Sequence, residues 1–90
     1  MVGAWTLAKM EAVDLPEKAA AAFSKVTNGM VGAKYIPVLY CGEQLVNGTN
    51  YMIICKQTLV TNPPEEHLVT IVINCSAQGS CSIVSINQIV

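Results

Sequence analysis

Four cysteines and one histidine are the side chains of this 90-residue chain best suited to covalent, redox or metal chemistry. The cysteine spacings, Cys41 to Cys55 and Cys75 to Cys81, match neither a zinc-ligand pattern nor a CxxC redox motif. An even count in a short chain permits two disulfides, and reduced core thiols fit equally well. Cys41 and Cys55 lie equidistant from Gly48, so a symmetric hairpin centred there would bring them face to face. A bulge at Gly42 would break that register. Cys75 and Cys81 bracket Ser76–Ser80 and are placed to clamp a turn. A Cys–His nucleophile pair would have to use His67, and no feature brings a cysteine to it, so no catalysis is expected. Gly29 and Gly32 are too few for a phosphate loop and follow a helix rather than a strand. No cofactor or metal is expected. Glu65-Glu66 reads as a solvated pair, and Trp5 as a first-strand core aromatic rather than an interface anchor.

The elements that must position these groups follow from caps and periodicity. Val2–Met10 reads as a first strand carrying Trp5, Leu7 and Ala4 as apolar surface. Asp14 is a suitable N-cap, Pro16 suits a first turn, and Glu17 three residues after Asp14 completes a capping-box arrangement. Leu15, Ala19, Ala22, Phe23 and Val26 then share one helical face, and Asn28-Gly29 stops the helix near Thr27. Tyr35–Leu45, Asn50–Val60, His67–Asn74 and Ser82–Val90 have strand character. They are separated by turn residues at Asn47-Gly48, Asn62-Pro63-Pro64 and Ser76–Gly79. Strand, helix and four hairpin-linked strands predict an α+β class, with one helix packed across a curved antiparallel sheet of four to five strands. Residues 1–90 are expected to form a single domain.

Composition bounds the rest. Hydrophobic residues make up 52% of the chain and charged residues 12%, the opposite of a disordered tail. A net charge of −1 offers no basic field for phosphates, so neither nucleic acid nor an anionic membrane surface is an expected partner. The longest apolar runs fall far short of the ~20 residues that span a bilayer. Residues 1–13 lack the pattern of a signal peptide. A secreted or cell-surface mature chain is favoured over a cytoplasmic one.

Gln44 to Tyr51, Gln-Leu-Val-Asn-Gly-Thr-Asn-Tyr, stands apart. Asn47-Gly48 signals a hairpin, yet Leu45 and Val46 are apolar at a tip that should face water. They are either the last paired residues of a strand or a surface for a partner. Gln44-Leu45-Val46-Asn47-Gly48 resembles the Gln-x-Val-x-Gly hairpin of the cystatins, inhibitors of papain-like cysteine proteases. Thr49-Asn50-Tyr51 is similar to the continuation found in the stefin branch. His67-Leu68-Val69 is similar to the start of the stefin fourth strand. The Gly-Ala-x-Tyr-x-Pro stretch at Gly32–Pro37 resembles small bacterial cystatin-like proteins.

The resemblance implies a cystatin-like fold and a wedge that enters a papain-like protease cleft without supplying a catalytic group. The wedge comprises Gly3, the tip residues Gln44, Leu45, Val46, Asn47 and Gly48, and a second turn with Ala77, Gln78 and Gly79. Against the family pattern, the second turn has no Pro-Trp or Leu-Pro pair, Asn47 replaces a small alanine, and only Met1 and Val2 precede Gly3. Cys41 and Cys55 replace apolar positions of the family. The alternative function is a non-inhibitory binding or surface-associated module on the same fold. Asn47-Gly48-Thr49 and Asn74-Cys75-Ser76 both match the N-glycosylation pattern. A monomer is expected. A domain-swapped dimer would require the Gln44–Asn50 loop to relieve strain at Val46 by opening into one strand across Tyr35–Val60.

Overall fold

A computed structural model describes residues 3–90. One helix, α1 (Glu17–Thr27), is followed by four strands, β1 (Ala33–Val46), β2 (Gly48–Leu59), β3 (Glu65–Cys75) and β4 (Cys81–Gln88). The strands form one antiparallel meander in the order β1-β2-β3-β4. The molecule is thus mostly sheet, with one 11-residue helix. This corrects the expected α+β class with a helix across a curved four-to-five-stranded sheet. The α1 backbone approaches mainly β3 and β4, so it covers one side of the sheet and does not cross all of it.

The expected first strand is absent from the described residues. Met1 and Val2 lie outside them, and Gly3–Met10 adopt no regular element. Trp5 is 86% exposed rather than a core aromatic. The physical reason is pattern: Gly3, Thr6, Lys9 and Glu11 interrupt the apolar positions, leaving no continuous face to bury. The segment is tied to the sheet where the Val13 N–H donates to the Pro37 carbonyl at 2.9 Å.

The helix starts after Pro16, whose carbonyl accepts from the Ala20 N–H at 2.8 Å. No side chain caps it, so the expected Asp14–Glu17 capping box does not form. Its end agrees with the turn chemistry: the Asn28 N–H bonds the Ser24 carbonyl, and Gly29 takes a φ of +86°. Ala19 and Ala22 are buried against the sheet, with Leu15, Phe23 and Val26 packed at the margin. Two alanines let the helix backbone come close, and Ile53, Ile71, Ile73, Val69, Cys55 and Tyr51 fill the core beneath them.

Alternation places these core residues on one face of β2 and β3, where Ile53 pairs with Ile71, Cys55 with Val69 and Tyr51 with Ile73. The sheet register breaks twice in β1, between Pro37 and Leu39 and between Tyr40 and Gly42. Each break puts an extra residue in β1 against β2. Cys55 therefore faces Pro37 across the ladder rather than Cys41.

Candidate functional site

The β1–β2 hairpin turns at Asn47, with Val46 paired to Gly48, Leu45 to Thr49 and Gln44 to Asn50. A two-residue Asn47-Gly48 turn would pair Val46 with Thr49. The observed turn centres on Asn47 instead, and Gly48 alone takes positive φ (+93°) while Asn47 does not. Among the described residues only glycines have positive φ, so Val46 holds no left-handed backbone strain for a swapping hinge to release. Leu45 is 83% and Val46 49% exposed. They sit in paired strand positions and still face solvent, so the two readings of these residues are not exclusive.

The β3–β4 turn lies beside this tip. Thr49 pairs with Cys75, and the α-carbon of Gly48 lies so close to the Cys75 carbonyl that a Cβ there would overlap the oxygen. That Cβ would also stand 3.1 Å from the Ser76 α-carbon. Gly48 is required both for its φ and for this approach. The second turn is closed at its base by a Cys75–Cys81 disulfide. Within it, the Ser76 N–H donates to the Ser80 carbonyl at 2.8 Å and the Gly79 N–H to the Ser76 carbonyl at 2.9 Å. Lys25 Nζ reaches across from α1 and donates to the Gly79 carbonyl at 2.9 Å. Ala77, Gln78 and Gly79 are exposed at its crest.

A row of carboxamides braces the base of the tip. Asn74 Nδ2 donates to Asn50 Oδ1 at 2.9 Å, and Asn50 Nδ2 donates to Gln44 Oε1 at 3.2 Å, linking three strands. Sequence reasoning missed this row. Hairpin arithmetic around Asn47 would have paired Gln44 with Asn50, but the β2–β3 register depends on the longer connection and is not readable from it. A shallow open hollow of about 350 Å³ lies alongside, lined by Cys41, Glu43, Gln44, Asn50, Tyr51 and Met52.

The structure thus brings Gln44–Gly48 and Ser76–Gly79 together at one end of the sheet. At Gly3 an added Cβ would meet no atom of the described residues within 4 Å beyond its chain neighbours. The Cys75–Cys81 clamp is present, whereas Cys41 and Cys55 are both free thiols, Cys41 exposed and Cys55 buried. Burial pushes the Cys55 thiol up to about 12, with the neighbouring Cys41 adding to the effect. His67 is engaged elsewhere: Nδ1 lies 3.2 Å from the Val90 carbonyl and Nε2 3.4 Å from Glu65 Oε2. The Tyr40 hydroxyl is shut off from solvent without a partner, and desolvation, then Glu43 and Tyr51, raise its pKa.

Among the described residues no three His, Cys, Asp or Glu side chains gather to hold a metal ion. Among the same residues no helix is long and apolar enough to cross a membrane. Comparison with protein-family models, curated proteins and solved structures finds no match to this chain. The paired tips present apolar side chains and backbone groups on two braced turns.

Proposed function

We propose that the paired tips form a docking wedge that blocks the active-site cleft of a papain-like cysteine protease. The observation that carries this reading is Leu45 and Val46, exposed on a turn that Gly48 seats against a disulfide-closed neighbour. The likeness of Gln44–Gly48 to the Gln-x-Val-x-Gly hairpin names the class of cleft. A braced wedge loses little conformational freedom on docking, so more of its apolar burial appears as affinity. Fully burying a leucine or valine side chain stabilises a complex by about 1.5–3 kcal/mol. The tip carries no acyl-transfer chemistry of its own, and the block is steric.

The test is a titration of papain and of a cathepsin with the full chain, repeated with Val46→Asp. Inhibition that Val46→Asp abolishes while the variant stays folded supports the reading. A non-inhibitory binding module is the second reading, favoured by the small and polar crest at Ala77 and Gln78, which offers no aromatic anchor. An absence of inhibition at micromolar protein selects it.

A further inference from the structure

We infer that Asn47 is an N-glycan acceptor and that its sugar shields the apolar tip. This deepens the docking proposal above and rests on it only for what the shield regulates. Two sites, Asn47-Gly48-Thr49 and Asn74-Cys75-Ser76, carry the acceptor pattern, and the structure treats them differently. Asn47 is the exposed residue between β1 and β2, and no residue pairs with it in the ladder. Gly48 beside it carries no side chain to obstruct a transferase at the acceptor.

Asn74 is half-buried inside β3, between β2 and β4. Its carboxamide nitrogen is already donating to Asn50 Oδ1 at 2.9 Å. The next residue, Cys75, is tied to Cys81. Presenting Asn74 would cost the amide row, ladder bonds on both sides and the disulfide-closed turn. The same disulfide belongs to the oxidising compartments through which secreted chains pass, where N-glycosylation also takes place.

The co-reactant is a lipid-pyrophosphate-linked oligosaccharide. The Asn47 carboxamide nitrogen forms a bond to the anomeric carbon as the bond from that carbon to the pyrophosphate oxygen breaks. The lipid pyrophosphate leaves with the electron pair, and one amide proton passes to a base of the transferase. The attached sugar then stands within one residue of Val46 and two of Leu45. It covers the side chains that the wedge needs.

The experiment directs the full chain through a eukaryotic secretory pathway and measures its intact mass, with Thr49→Ala, Thr49→Ser and Ser76→Ala alongside. One glycan is expected, absent from Thr49→Ala and retained in Thr49→Ser and Ser76→Ala. An unglycosylated wild-type chain, or a sugar mapped to Asn74 alone, overturns the assignment. Shielding is read without any target protease, as the rate of thermolysin nicking before Leu45 or Val46. The glycosylated chain should be nicked at least tenfold more slowly than Thr49→Ala, and equal rates overturn the shield. Both readouts stand whether or not the chain inhibits papain, so failure of the docking proposal is distinguishable from failure of this one.

Discussion

Replacing Gly48 by alanine tests the contact that joins the two tips. The residue sits at φ +93°, where a side chain costs about 1–2 kcal/mol. The added Cβ would also overlap the Cys75 carbonyl oxygen and stand 3.1 Å from both the Cys75 carbonyl carbon and the Ser76 α-carbon. These are backbone atoms in a turn closed by a disulfide, so they have little room to yield. Overpacking of this kind costs about 1–3 kcal/mol. Outward opening of the tip can relieve part of it, giving an expected loss of about 2–4 kcal/mol. Gly29→Ala is the control, because Gly29 has a similar φ of +86° with no atom within 4 Å of its Cβ position. It should show only the conformational cost, about 1–2 kcal/mol. Equilibrium urea unfolding of both variants measures the difference, which should be about 1–3 kcal/mol with an unchanged denaturant slope. Equal losses in the two variants, within about 0.5 kcal/mol, would refute the close approach.

Further outcomes follow from the same structure. Tyr40→Phe removes a buried hydroxyl that has no partner and should leave stability unchanged or raise it by about 1 kcal/mol in the same urea assay. Removing the Cys75–Cys81 bridge, which closes a separation of 6 residues, should cost about 2 kcal/mol on loop entropy and loosen the crest, seen as faster amide exchange at Ala77–Gly79. Iodoacetamide at neutral pH should modify Cys41 and spare Cys55 until the chain unfolds, as peptide mapping would show. Cys55 is raised from 9.0 to about 12, so the folded state holds its proton more tightly than the unfolded state. That contribution is complete below about pH 9 and is lost as pH rises toward 12, so Cys55→Ala should flatten the alkaline fall in stability.

The local elements were largely legible in the sequence. Asn28-Gly29 stops the helix at Thr27, and the turn residues place all four hairpin-linked strands to within a few residues. What failed were inferences that depend on neighbours. Asp14 has the right side chain for a cap, but the helix begins at Glu17 behind Pro16, whose φ of −52° and ψ of 148° are extended. Hairpin symmetry about Gly48 would have paired Cys41 with Cys55, but the turn centres on Asn47 and two bulges shift β1. Gly42 marked one bulge, and the break between Tyr40 and Gly42 falls there, but spacing alone did not supply the second break between Pro37 and Leu39. The first strand read over Val2–Met10 from Trp5, Leu7 and Ala4 also failed: Gly3–Met10 form no regular element, since an edge strand needs a continuous apolar face to hold it to the sheet. At the candidate site, the Gln44–Gly48 tip and the Cys75–Cys81 clamp were readable. Their juxtaposition through Gly48 and the brace from Lys25 were not, because both depend on how β2, β3 and α1 pack.

The most direct measurement is active-site titration of papain with the folded, disulfide-intact chain, with Leu45→Ala and Val46→Asp in parallel. The docking account predicts one-to-one loss of protease activity. It also predicts that Val46→Asp weakens inhibition at least ~30-fold, the equivalent of about 2 kcal/mol, while its urea midpoint stays close to that of the parent chain. Full papain activity at micromolar concentrations of the folded chain, or inhibition that neither substitution alters, would contradict it.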